Sequence, residues 1–217
     1  MTYTGKVTVG GPSHVRELAD LIVSKVAVGP MSNNAFLLRC RHTDEQLLID
    51  AADDPATLLA LVGAGGLARV VTTHSHADHW QGLAEVLDGT HARTVAGELD
   101  ADDLPVTVDE RVSDGDVVPV GASELRVIHL AGHTAGSIAL LFDDPDGGPH
   151  LFTGDSLFPG GPGRTRDPAS FTSLMDDLHS KVFDQLPDET WVYPGHGDDT
   201  TLGAERPSLP EWRARGW

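Results

Sequence analysis

Cysteine is nearly absent: of 217 residues only Cys40 carries a thiol. A single thiol rules out an intrachain disulfide framework and fits a reducing compartment, so the expected location is the cytoplasm. Long apolar runs are missing too. No stretch approaches the roughly eighteen consecutive apolar residues that a membrane-spanning helix needs. Met1 to Gly11 holds one lysine and no apolar segment, so no secretory signal is read there. Positive charge is heavily outnumbered, 15 basic against 33 acidic side chains, for a net charge of −18 and a pI near 4.7. A nucleic-acid partner is excluded, because clustered Lys and Arg are needed to neutralise phosphates, and an anionic membrane surface is disfavoured for the same reason. What is present is globular: 40% hydrophobic and 22% charged residues, in a length that suits one domain over residues 1–217.

Patterning predicts an α/β chain. Lys25–Val28, Ala35–Cys40 and Gln46–Asp50 read as strands, separated by turn-rich sequence from Gly29 to Asn34. Pro55 opens a helix carrying Leu58, Leu59, Leu61 and Val62, and glycines from Gly63 close it. Val70 to Thr73 is a short buried strand, followed by a helix with Trp80, Leu83, Ala84 and Leu87 on one face. Leu125–Leu130, Ile138–Phe142 and Leu151–Thr153 are further strands. Phe171, Leu174, Met175 and Leu178 mark another helix, and Trp191 to Tyr193 a last strand. The twenty residues after Gly197 are too few for a second domain.

The most informative stretch is His74-Ser75-His76-Ala77-Asp78-His79. Residues two apart leave an extended strand on the same side, so His74 and His76 can grip one ion together. Asp78 and His79 lie where the next helix begins and can be aimed at a second point. Three later strands end in glycine-rich sequence with one ligand-type side chain each: His133 in Gly132-His133-Thr134-Ala135-Gly136, Asp155 in Thr153-Gly154-Asp155, and His196 in Gly195-His196-Gly197. Glycine beside each permits a tight turn and close approach of backbone to an ion. Imidazole suits zinc, copper, iron or nickel, and a carboxylate can bind terminally or bridge.

His74-x-His76-x-Asp78-His79, followed in order by His133, Asp155 and His196, resembles the metallo-β-lactamase superfamily. The resemblance runs from Asn34 to His196 and implies an αββα four-layer sandwich, two mixed sheets flanked by helices with metals at one edge. It further implies that His74, His76 and His133 hold a first metal and Asp78, His79 and His196 a second, with Asp155 bridging, and that two zinc ions are bound. The activity implied is hydrolysis by a metal-bridging hydroxide, with Asp78 a catalytic residue that ligates and also orients the nucleophile.

Within the superfamily, Gly154-Asp155-Ser156-Leu157-Phe158 and Gly161-Pro162-Gly163-Arg164-Thr165 are similar to the glyoxalase II-like branch, which implies hydrolysis of an acyl thioester. Two departures point away from a glutathione thioester: no helical C-terminal extension is read to hold it, and Pro162 stands where the branch often has Cys. Another thiol carrier or a general acyl thioester stays open. The alternative is a persulfide dioxygenase, similar in the same motifs, with one iron held by His74, His133 and Asp155. Lactone hydrolysis and β-lactam hydrolysis are minor options. The expected partner is a small anionic thioester, with Arg164 a candidate contact for its charge, and superfamily members commonly form homodimers. Cys40 is read as a small core hydrophobe, His129 as core packing, and Thr134 and Ser137 as satisfying backbone groups. Asp100 to Asp103 is read as a solvated acidic loop. His14, His42, His91, His150 and His179 have no ligand context.

Overall fold

A computed structural model describes residues 3–216. The first sheet is built from β1 (His14–Glu17), β2 (Leu21–Val28), β3 (Asn33–Cys40), β4 (Gln46–Ile49), β5 (Arg69–Thr72), β6 (Arg93–Gly97) and β7 (Glu110–Val112), paired in that order. β1 to β4 run antiparallel and β4 to β7 parallel. The parallel part follows from crossover helices: α1 (Pro55–Val62) joins β4 to β5, and α2 (Leu83–Thr90) joins β5 to β6. Asp54 caps α1 by accepting from the Thr57 amide at 3.2 Å, and Pro55 takes the first helical position, where its missing N–H costs nothing.

The second sheet contains β8 (Val117–Val120), β9 (Ser123–His129), β10 (Ile138–Asp143) and β11 (Pro149–Gly154). It is completed by β14 (Trp191–Pro194) and β15 (Thr200–Thr201), in the order β15-β14-β11-β10-β9-β8. β11 and β14 are parallel and the other pairs antiparallel, so both sheets are mixed. Between β11 and β14 come the small hairpin β12 (Leu157–Phe158) with β13 (Gly161–Pro162) and the helix α3 (Pro168–Asp177).

The two sheets face each other across Phe36, Leu38, Ile49, Val71, Leu140, Phe152 and Tyr193. The Phe152 and Tyr193 rings stack at 4.5 Å and Phe36 meets Phe152 edge-on at 5.3 Å. α1 and α2 cover the outer face of the first sheet through Leu58, Val62, Leu83 and Val86. α3 covers the second sheet, together with α4 (Leu202–Glu205) and α5 (Leu209–Arg215). This is the expected four-layer αββα sandwich. β6, β7, β8 and the helices after Thr201 were not read from sequence: β7 and β8 are 3 and 4 residues long, too short to show a period. Trp80 lies before α2 rather than in it, and its indole N–H donates to the Ser75 carbonyl at 2.8 Å. Among the described residues no helix is long and apolar enough to cross a membrane.

Candidate metal centre

Parallel strands end at the same edge, and that places the site. The turns after β4, β5 and β6 carry Asp50, His74 and Asp100, and the turns after β11 and β14 carry Asp155 and His196. The β9–β10 connection brings His133 to the same place, so all seven residues expected as ligands converge where the two sheets meet. Three overlapping groups have donor atoms within 4.8 Å of one another: His74, His76 and His133; His74, His79 and Asp155; Asp78, His79 and His196. Asp155 lies between them, Oδ1 3.4 Å from His79 Nε2, and Oδ2 3.6 Å from His133 Nε2 and 3.4 Å from His196 Nε2. Asp78 Oδ2 is 3.4 Å from His196 Nε2.

Hydrogen bonds set which ring nitrogen faces inward. Thr73 donates its hydroxyl to Asp50 Oδ2 at 2.8 Å, so its oxygen is left to accept from His74 Nδ1 at 3.1 Å. His79 donates from Nδ1 to Asp50 Oδ2 at 2.8 Å, His133 from Nδ1 to the Arg164 carbonyl at 2.6 Å, and His196 from Nδ1 to the Met31 carbonyl at 3.2 Å. Each of these four rings thereby turns its Nε2 to the centre. His76 differs, presenting Nδ1, 2.9 Å from His133 Nε2. Asn33 donates to Asp78 Oδ2 at 2.9 Å and fixes that carboxylate.

Burial, the largest influence, pushes the proton affinities of His74 and His133 down and keeps both rings neutral donors of lone pairs. Burial also opposes charge on His79, yet Asp50 and Asp155 together raise it to about 10. Asp155 is held well below the usual carboxylate range: burial works against this, and the hydrogen-bonding and charge of His196, His79 and His74 overcome it. A field that attracts a proton to His79 also attracts a cation. His74 Nε2 and Asp155 Oδ1 are buried atoms with no hydrogen-bond partner. Orphaned acceptors of this kind are expensive unless something electropositive sits among them, and five imidazoles with two carboxylates are a fitting donor set for divalent ions. Gly195 and Gly163 let backbone close on the centre: a Cβ at Gly195 would collide with Asp155 Oδ1, and one at Gly163 with the Asp155 carbonyl.

Two readings from sequence are corrected here. Asp100 is not in a solvated loop but 2% exposed. Its carboxylate accepts from the Ser75 amide at 2.8 Å, the Thr134 hydroxyl at 2.5 Å and the Gly136 amide at 2.7 Å, tying the loop of His74 and His76 to the loop of His133. Acid-rich sequence hid this because Asp102 and Asp103 beside it are exposed. His129 is not core packing: it is half-buried at the end of β9, where its ring meets the Ala135 carbonyl at 2.8 Å. Ser137 accepts from the Thr134 amide, in line with a backbone-satisfying role. Cys40 is fully buried in the inter-sheet core and accepts from the Ala122 amide. Asp50, Asn33 and Thr73 were not anticipated as supports. Only Asp50 left a signal, a carboxylate directly after the apolar run Leu47-Leu48-Ile49.

The family model of the metallo-beta-lactamase superfamily matches residues 28–196. The chain belongs to this superfamily. Among sequence relatives, the hydroxyacylglutathione hydrolase of Cereibacter sphaeroides is 38% identical over 173 residues, 79% of this chain and 65% of that protein. The chain thus spans somewhat under two thirds of that relative's length. Among solved structures, ETHE1 from Myxococcus xanthus superposes with a TM-score of 0.74 at 30% identity, covering 87% of this chain and 83% of that one. TTHA1623, solved in a di-iron-bound form, gives 0.71 at 30% identity, covering 87% and 99%. Membership and the donor cluster together make this edge of the sandwich a divalent-metal site.

Proposed function

We propose that this superfamily member is a metal-dependent hydrolase of acyl thioesters, with His74, His76 and His133 around one ion, Asp78, His79 and His196 around a second, and Asp155 between them. The observation that carries the reading is the orientation of the donors: four Nε2 atoms, one Nδ1 and two carboxylates directed at one pair of points. The similarity to a hydroxyacylglutathione hydrolase favours thioesters over lactones or β-lactams. Divalent ions held there, zinc in this reading, would supply hydroxide near neutral pH and a Lewis acid for the substrate carbonyl. The chain's own residues orient that chemistry. Asn33 engages Asp78 Oδ2, the oxygen that faces His79 and His196, and so orients the carboxylate toward the nucleophile. The Arg164 carbonyl holds His133, while its exposed side chain lines the cleft beside His76 and His133 and is placed to meet an anionic substrate group.

Arg164→Ala keeps the carbonyl and removes the charge. It should raise KM more for anionic than for neutral thioesters, and steady-state kinetics showing equal effects would retire Arg164 as a charge contact.

A second reading uses the same edge: iron-dependent oxidation of a thiol persulfide at His74, His133 and Asp155, favoured by the likeness to ETHE1. Elemental analysis of protein purified without added metal separates the two. About two zinc ions per chain, with turnover of a thioester, supports the hydrolase. About one iron, with oxygen uptake on a persulfide, supports the second reading, and folded protein without metal overturns both.

A further inference from the structure

Lys25 and Asp199 form an ion pair at 2.6 Å in which neither side chain is exposed. Taking two charges out of water is costly, and such a pair persists only where its remaining hydrogen bonds are made. Here the three N–H groups of the ammonium meet three oxygens: Asp199 Oδ1, the Gly5 carbonyl at 2.7 Å and the Gly197 carbonyl at 2.7 Å. Asp199 Oδ2 accepts from the Tyr3 hydroxyl at 2.8 Å and from the Trp191 indole N–H at 2.9 Å. Burial lowers the proton affinity of Lys25, and Asp199 works in the opposite direction. The chemistry proposed above makes no use of this pair.

Its location gives it a task. Gly197 directly follows His196, and its φ of +71° is one that glycine adopts freely. The β2–β3 hairpin holds this turn from the other sheet. Asn34 donates its backbone N–H to the Gly195 carbonyl at 2.7 Å. Its side-chain amide donates to the Pro194 and Gly197 carbonyls at 2.9 and 3.0 Å. Lys25 reaches the same Gly197 carbonyl from β2, and the Met31 carbonyl accepts from His196 Nδ1. The segment Tyr3 to Gly5 closes the far side of the pair. A Cβ at Gly5 would lie 2.4 Å from Asp199 Oδ2, so only glycine lets the backbone come this close. His133, by contrast, is fixed through the Arg164 carbonyl and the Asp100 bonds to its loop.

We propose that Lys25 and Asp199, sealed by the segment Tyr3 to Gly5, are positioning residues for His196. They set how tightly the ion of Asp78, His79 and His196 is held and leave the ion of His74, His76 and His133 unaffected. The proposal rests on the two-ion arrangement for the metal, and on the contacts of the turn alone for the brace. Zinc is titrated into metal-depleted protein against a competing chelator, and His196→Ala shows which of the two dissociation constants belongs to the ion that His196 meets. In K25M/D199L, which orphans no charge, that constant should rise at least tenfold, the usual effect of losing a group that orients a ligand. The other constant should stay within about twofold, as for independent sites. Added to His196→Ala, the same two substitutions should change nothing further, because the brace acts only through that ring. A general loosening of the fold would instead weaken both ions and add to His196→Ala. Gly5→Ala, which crowds Asp199 and removes no charge, carries the same expectation should the double variant fail to fold. Equal weakening of both ions, or of neither, overturns the brace. A protein that binds one ion, and binds it equally well in His196→Ala, removes the two-ion arrangement instead. The crystal structure of metal-free K25M/D199L then decides: His196 displaced from the Met31 carbonyl supports the brace, and an unmoved ring overturns it.

Discussion

At the atomic scale the Asp78 carboxylate is held in place by a neighbouring side chain. Its Oδ2 is fixed by Asn33 and stands near His79 and His196. Asp78→Ala should lower kcat at least a hundredfold, the usual scale for a lost general base, with an unchanged circular dichroism spectrum. Near-normal turnover in a folded, fully metallated variant would remove Asp78 from the mechanism. His150 shows a different consequence of burial. It is 2% exposed, and its Nδ1 lies 2.9 Å from the Tyr193 hydroxyl. Burial, helped by Arg16, pushes its pKa down to about 3, and Asp144 at 4.0 Å does not offset this. The folded protein therefore keeps His150 neutral below pH 6.5, where the unfolded chain takes up a proton. The sign is fixed: stability falls as pH drops through the unfolded value near 6.5, by up to about 1.4 kcal/mol per pH unit from this group. Urea unfolding at pH 7, 6 and 5 should show a flatter dependence in His150→Gln. Equal slopes would mean that His150 carries no such linkage.

Three connections, each from a different strand end, meet through a single carboxylate at the next scale. Asp100, after β6, holds the loop after β5 and the β9–β10 connection at a set separation, which is the separation between His76 and His133. Asn at this position can keep the bonds from Ser75 and Thr134 through a carbonyl in the Oδ2 place but turns its amide group toward the Gly136 N–H. Asp100→Asn should therefore loosen the group of His74, His76 and His133 while sparing that of Asp78, His79 and His196. Metal content should fall from about two ions per chain toward one, at a stability cost of about 2 kcal/mol for charged hydrogen bonds lost in the interior. Two ions retained at normal affinity would show that the clamp is dispensable. On the opposite side of the site, buried Lys25 plays a comparable part. Its ammonium donates to the Gly5 and Gly197 carbonyls at 2.7 Å each and to Asp199 at 2.6 Å, bracing the turn that carries His196.

The two halves of the chain each supply part of the centre: His74, His76, Asp78 and His79 come from the first sheet, and His133, Asp155 and His196 from the second. Ions held at this edge would cross-link the sandwich, and binding to the folded state alone would stabilise it. An ion present at about a thousand times its dissociation constant contributes about 4 kcal/mol. Chelation should then lower the melting temperature by on the order of 10 °C for a chain of this size, and readdition of metal should restore it. A melting temperature indifferent to chelator would contradict the cross-linking role. The net charge of −18 belongs to the chain as a whole, while arginines line one flank of the metal edge.

The sequence singled out the candidate ligands, and its resemblance to the superfamily implied the layer order. His74, His76, Asp78 and His79 lie within six residues, and the later ligands are each flanked by glycine, so local spacing was enough to single them out. Apolar patterning located most strands and the main helices because burial of one face imposes a period on adjacent residues. What had no local signature was decided by tertiary structure. Asp100 differs from Asp102 and Asp103 only in where the chain folds it, and a carboxylate's role depends on the donors that surround it. Arg215 reaches the cleft through the packing of α5, 51 positions from Arg164, and no periodicity reports so distant a meeting. The ring orientation of His74, His79, His133 and His196 was likewise set by a partner, Thr73, Asp50 or a backbone carbonyl, since hydrogen bonds act through space and not along the sequence.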